Sequence, residues 1–265
     1  MAGGLVLALL ISACVSAPET RKPQYTQRHY IFSVLLFPEK PVGSPHMDIA
    51  LSLLRTEYPG KQAEYLNMVL YSQPDSELYK DRVFEEQRDN YRRAAIRSAQ
   101  TGDTYSESDN WRYSETIGIE RAHDRGIVVG RSIESYTGGA HPISAKHYYV
   151  LDMDEHIQLR VDDFFENFQE DPQLRDYIYE ELRRYSRLEI AQSLSEGIFF
   201  SDEPELSFNF FITDEGFGLH WDQYQIAPYS QGAIEIVLPW CIVHPFMRHS
   251  GIELLTKFGI YPFNN

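Results

Sequence analysis

FNFFITDEGFGLHWDQYQIAPYSQGAIEIVLP, residues 208–239, is rich in aromatic and β-branched residues and is broken at two places by turn-forming ones. Leu206 to Ile212, the turn Asp214-Glu215-Gly216 and Phe217 to Trp221 read as a β-hairpin, and Ala233 to Leu238 reads as a further strand. Between the last two strands lies Tyr224-Gln225-Ile226-Ala227-Pro228-Tyr229-Ser230-Gln231-Gly232, where Tyr224 and Tyr229 bracket the rigid Pro228. Tyrosines on a stiffened loop offer contact area at low entropic cost, so this loop is a candidate binding surface.

Upstream of this stretch, Asp171-Pro172 is a helix start, and Leu174, Ile178, Leu182 and Tyr185 recur on one face of the helix that follows. Tyr148 to Leu151 and Ile157 to Val161 flank Asp152-Met153-Asp154-Glu155-His156 as a second hairpin. Trp111, Tyr113, Ile117 and Ile119 alternate as in a half-buried strand; Asp124-Arg125-Gly126 turns the chain, and Ile127-Val128-Val129 with Ile133 returns. The returning strand runs into Tyr136-Thr137-Gly138-Gly139-Ala140-His141-Pro142, whose glycine pair permits a sharp turn with Thr137 and His141 around it.

The first half of the chain is more helical. Arg28 to Phe37 reads as a strand that stops at Pro38. Met47, Ala50, Leu51, Leu54 and Tyr58 recur at helical spacing up to Pro59-Gly60 and predict a helix, with a short second helix after it. Beyond Pro74-Asp75, the positions Leu78, Val83, Phe84, Gln87, Tyr91 and Ala95 trace one face of a long helix that ends near Gly102. The fold class is therefore α+β: antiparallel hairpins with helices packed on one face, in two small subdomains expected at residues 27–145 and 146–265.

The beginning of the chain points to a compartment. Leu5 to Ile11 is an apolar run leading into Ser12-Ala13-Cys14, a signal-peptide core (residues 1–13) with a small-residue cleavage site. The run is too short to span a bilayer, whereas cleavage before Cys14 and acylation of its thiol would hold the protein at a membrane surface. This resembles the lipobox of bacterial lipoproteins, although the basic segment usual before the apolar core is missing. Residues 14–26, with Pro18 and Pro23 and almost no large apolar side chains, read as a solvated tether. The expected location is thus the bacterial cell envelope, lipid-anchored. The remaining cysteine, Cys241, lies in the apolar run Pro239 to Val243 and is expected to be buried and inert.

With 39 acidic and 24 basic residues the formal charge is −15, which repels nucleic acid and anionic surfaces and attracts cationic partners. HExxH, GxSxG, CxxC and a phosphate-cradling glycine loop are all absent. Asp152-x-Asp154-x-His156 imitates a calcium loop, but Ile157 stands where the turn glycine is required and Asp163 where the bidentate glutamate is required. The histidines are scattered, with no pair on one helical turn, so no metal or cofactor is expected.

YTGGAHP after a strand, QLRVDDFF before a helix, and the 208–239 stretch together resemble the extracytoplasmic domain of RsiV-type anti-sigma factors, shared with PdaC-type peptidoglycan deacetylases. That resemblance implies an α+β domain pair and recognition of a protein, since RsiV binds lysozyme directly. It implies contact through Thr137, Gly138, Gly139 and His141 and through Tyr224, Pro228 and Tyr229. It does not imply catalysis, because the deacetylase members carry their chemistry in a separate domain. The sequence also shows neither the transmembrane helix nor the cytoplasmic sigma-binding segment of the anti-sigma factors, so only the binding event is expected to be kept.

The expectation is an envelope lipoprotein that binds a cationic protein such as lysozyme, for capture, inhibition or sensing. A scaffolding lipoprotein that binds peptidoglycan or another envelope component is the alternative. A catalytic reading would have to pair His141 with a carboxylate such as Asp222 or Glu235, and nothing in their spacing supports it.

Overall fold

The computed structural model of the protein describes residues 24–38, 44–56, 60–101, 110–189 and 192–261. The segments expected to be a signal peptide and a tether, with Cys14, lie outside them up to residue 23, as do Tyr58 and Pro59. Among the described residues the strands form two sheets, and the fold is mixed α+β as the sequence predicts.

The first sheet has the order β1 (Tyr25–Leu35), β2 (His46–Thr56), β3 (Trp111–Ala122), β4 (Gly126–Tyr136), β5 (Ile143–Asp152) and β6 (Ile157–Gln158). Neighbours are antiparallel except β2 and β3, which run parallel. A parallel pair needs a long crossover, supplied here by helices α1 (Lys61–Tyr71) and α2 (Ser76–Thr101). Their apolar residues Leu66, Leu70, Tyr71, Tyr79, Val83 and Tyr91 pack with Met47, Ile49, Leu51, Leu53, Ile117, Val129 and Leu151 in one core.

Residues 46–56 form β2 rather than the predicted helix. The sequence MDIALSLLR carries apolar residues at both periods, and it is the period-two set Met47, Ile49, Leu51 and Leu53 that is buried. Pairing with β1 on one side and β3 on the other satisfies the backbone of this segment, and that gain is not visible in a local pattern. On α2 the buried face includes Tyr79, while Leu78 is 50% exposed. The cause is Glu115 on β3, which is fully buried and accepts hydrogen bonds from the hydroxyls of Tyr79 at 2.7 Å and Tyr113 at 2.8 Å. Arg131 of β4 neutralises it at 2.9 Å. A buried carboxylate needs such partners, and Tyr79 reaches it only if that helix face turns inward.

The second sheet has the order β7 (Phe210–Ile212), β8 (Gly216–Trp221) and β9 (Ile234–Pro239), all antiparallel. Helix α4 (Pro172–Tyr185) packs against it through Leu174, Ile178 and Leu182, and Asp171 caps it by accepting from the amides of Gln173 and Leu174. The short helices α3 (Val161–Phe164), α5 (Trp240–Val243) and α6 (His249–Leu255) complete this second core. Phe217 is its centre, stacked on Phe210 at 5.0 Å and edge-on to Phe165 at 4.9 Å. The sheet is so closely packed that a Cβ on Gly216 would come within 2.0 Å of the Leu238 carbonyl oxygen. Trp240 and Val243 point into the core, and this turns Cys241 outward; the thiol is exposed, not buried as its apolar neighbours suggest.

The two cores meet through one ribbon. On β4, Ile127 and Val129 belong to the first core and Val128 to the second; on β5, Leu151 belongs to the first and Tyr148 and Val150 to the second. The subdomain division expected at 145/146 falls inside β5. In the turn after β5, Asp152 accepts from the amides of Asp154 and Glu155 and is ion-paired with Lys257, so an ammonium group sits where a calcium loop would hold its metal. Asp154 pairs with Arg125.

Phe217→Ala should lower the free energy of unfolding by about 3–5 kcal/mol, read by denaturant titration. Glu115→Ala, which strands Arg131, should cost about the same, and because the two sites lie in separate cores their effects should add in the double variant.

Candidate functional site

The site begins with an edge. β6 pairs only with Leu151 and Asp152, so among the described residues the outer edge of β5 from Ile143 to Tyr149 has no hydrogen-bonded partner strand. Exposed strand edges invite unwanted pairing and are normally covered. Here side chains that flank the strands of the second sheet do the covering. The amides of Ser144, Lys146 and Tyr148 donate to Gln223 Oε1 at 3.3 Å, Asp222 Oδ1 at 2.8 Å and Asn209 Oδ1 at 2.9 Å. Asn209 Nδ2 in turn donates to the Lys146 carbonyl at 2.6 Å. Three side chains thus imitate a strand on β5.

Asp222 is itself held by a histidine. Every residue of β8 is buried, including His220, whose side chain is only 2% exposed. Its Nε2 lies 2.8 Å from Asp222 Oδ1 and its Nδ1 lies 2.9 Å from Glu235 Oε1. Glu235, on β9, also accepts from the Tyr148 hydroxyl at 2.7 Å, and Lys146 Nζ stands 3.9 Å from it and 3.2 Å from Glu120. Burial alone would pull the His220 imidazole down, but the hydrogen bonds and charges of Asp222 and Glu235 outweigh it and hold it above its ordinary value. For Asp222 burial acts upward, and the His220 hydrogen bond with the Lys146 amide brings the carboxyl below its usual range. The His220 hydrogen bond, opposed by burial and helped by Tyr148, lowers Glu235.

Beyond Asp222 the chain enters the loop to β9. Ile226 and Ala227 are buried and anchor it, and Phe200 donates its amide to the Ile226 carbonyl at 3.0 Å. Tyr224 has a left-handed backbone at φ 68°, a conformation that costs a non-glycine residue energy and is kept only when its surroundings impose it. Pro228 leads into a single 3-10 turn, Tyr229–Gln231. The segment between β4 and β5 comes to meet this loop. Gly138 at φ 91° and Gly139 at φ 104° make the sharp turn, and the Tyr136 hydroxyl closes it onto the Gly139 carbonyl at 3.1 Å. The His141 ring then stacks on Tyr229, with centroids 3.6 Å apart and planes 16° from parallel, and its Nε2 lies 3.4 Å from the Tyr224 hydroxyl.

The structure therefore joins the two loops singled out in the sequence. Thr137, Gly139, Tyr224 and Pro228 are exposed; Gly138, His141 and Tyr229 are partly so. The joined face is made of aromatic rings over a backbone with outward polar groups, a surface suited to binding. His141 does not pair with Asp222 or Glu235; both of those carboxylates are directed at His220 instead. Sequence reasoning missed His220, Asn209, Lys146 and Tyr148. A signal was present for one of them: a histidine inside the wholly buried strand FGLHW needs polar partners from neighbouring strands. Among the described residues no group of three His, Cys, Asp or Glu side chains has a geometry that could hold a metal ion. Nor is any helix among them long and apolar enough to cross a membrane.

Residues 162–241 match the model of a family described as "Protein of unknown function (DUF3298)". The match takes in Asn209, His220, Asp222, Glu235 and the Tyr224–Tyr229 loop, and leaves the Thr137–His141 loop and β5 outside it. No curated protein matches the sequence. The fold is shared with the crystal structure of a member of the DUF3298 family from Bacteroides fragilis NCTC 9343, at a TM-score of 0.73 and 16% identity, over 89% of this chain and 97% of that one. It is also similar to a DUF3298 family protein from Pseudomonas aeruginosa PAO1, at a TM-score of 0.56 and 16% identity, over 86% of this chain and 96% of that one. At such identity the likeness is one of fold. The chain thus carries a DUF3298 domain at residues 162–241 and has the fold of DUF3298 family structures along most of its length.

Proposed function

We propose that this protein is a non-catalytic recognition module of the bacterial cell envelope, held to the membrane through Cys14, that captures a basic wall-directed protein such as a lysozyme. The observation that carries this reading is the stacking of His141 on Tyr229 at 3.6 Å, by which two loops distant in sequence present one aromatic surface. Rigid aromatic anchors surrounded by polar groups are what protein interfaces concentrate their binding energy in. The net charge of −15 supports a cationic partner, since opposite charge raises the association rate and makes it salt-dependent. His220 does not suit catalysis: it is buried, and both ring nitrogens are already engaged.

Titration calorimetry of the protein with a basic animal-type lysozyme should show binding that weakens as salt rises. Tyr229→Ala should weaken it by about 30-fold or more with an unchanged circular dichroism spectrum, and unchanged affinity would remove Tyr229 from the interface. Absence of heat with lysozyme at either salt, together with salt-indifferent binding of peptidoglycan fragments, would replace protein capture by the scaffolding reading. For the anchor, Cys14→Ser should move the protein from the membrane fraction to the soluble fraction.

A further inference from the structure

A neutral imidazole carries one ring proton and can donate to one acceptor only. His220 has a carboxylate oxygen 2.8 Å from one nitrogen and another 2.9 Å from the second. If the ring were neutral beside two ionised carboxyls, one of its lone pairs would face an anionic oxygen at hydrogen-bond distance, so with both carboxyls ionised this geometry calls for the imidazolium. We propose that the His220 imidazolium is a protonation-dependent latch that fastens residues 222–232 to the free edge of β5, and so decides whether the two aromatic loops meet.

The two carboxylates do not depend on the ring equally. Glu235 keeps the Tyr148 hydroxyl and shares Lys146 with Glu120 of β3. Asp222 has His220 as its cation. The other nearby histidine, His147 of β5, is held below its ordinary value by burial first and then by Arg131, with Asp222 acting the other way, and it ranks after His220 among the charges that lower Asp222. From the segment before β7 the Asn209 carbonyl accepts the His220 amide at 2.9 Å, and the Tyr148 ring, itself stacked on Phe211, meets His220 edge-on at 5.8 Å. When His220 loses its proton, Asp222 loses the cation that holds it by a hydrogen bond. Its side chain is 27% exposed, so it can turn to water, and the bond from the Lys146 amide goes with it. Gln223 and Tyr224 follow directly in the chain, which carries the effect to the Ser144 amide and to the His141–Tyr229 stack.

The sign follows from the partners. His220 is raised in the folded protein, so its contribution is complete below the ordinary histidine value and is lost as pH rises through the higher folded value. Asp222 and Glu235 are lowered, so theirs is complete above the ordinary carboxyl range and is lost as pH falls through the lower folded values. The latch is closed between these limits.

The test needs no ligand. In a pH titration of the ¹⁵N-labelled protein by NMR, both ring nitrogens of His220 should stay protonated to a pH above the ordinary histidine midpoint of about 6.5. The Lys146 amide shift and the His141–Tyr229 ring contacts should change with the midpoint of His220, above about 6.5. Glu235→Gln, at a partly exposed position, should move all three midpoints downward together by about one pH unit or more. A His220 ring that gives up its second proton at or below the ordinary histidine midpoint would overturn the proposal, and so would a Lys146 amide or a ring contact that does not follow the His220 midpoint in both proteins.

Discussion

Strand β5 must be satisfied in three directions at once, and most of this structure is the consequence. One face of the strand supplies Leu151 to the first core, the other supplies Tyr148 and Val150 to the second, and its outer edge carries amides that β6 is too short to reach. Buried backbone donors without partners are expensive, so the edge has to be covered. A further strand would have solved this by extending the sheet. The chain instead presents the side chains of Asn209, Asp222 and Gln223, which stand just before β7 and just after β8 and bind the amides without adding a strand. The two cores are joined in this way without merging.

This coupling explains why the candidate surface lies where it does. The Gly138-Gly139 turn ends at the start of β5, and the loop carrying Tyr224 and Tyr229 begins at Asp222, one of the residues that covers the same edge. Bringing the edge and its cover together therefore brings the two loops together. The aromatic stack does not have to assemble itself from free loops, because the ordering has already been achieved by the backbone contacts beneath it. Buried charge is used sparingly around it. Glu115 with Arg131 in the first core, Asp152 with Lys257 in the turn and His220 between two carboxylates are each a local group with its own counter-charge. Removing one member of such a group leaves the other uncompensated, and this makes each arrangement specific to its geometry.

Much of the architecture is legible in the residues themselves. The hairpins at 124–126 and 214–216, the Asp171 cap, the long helix after Asp75 and the α+β class all follow from local chemistry: turn residues, period-two alternation and a side-chain acceptor ahead of a proline. Both loops of the candidate surface are legible for the same reason, since paired glycines and a proline between tyrosines are conspicuous in any sequence. These are properties of short segments, and short segments carry the information.

Only the tertiary structure decided that residues 46–56 form a strand, that Tyr79 rather than Leu78 faces inward, that Cys241 faces out, and that Asp222 and Glu235 serve His220 and not His141. In each case the deciding partner is far along the chain: β3 for residues 46–56, Glu115 for Tyr79, and β5 and β9 for the histidine cluster. Hydrogen bonds and ion pairs act over a few ångströms of space whatever the separation in sequence. A segment whose pattern fits two conformations, or a charge whose counter-charge lies on another strand, is settled by the fold that surrounds it.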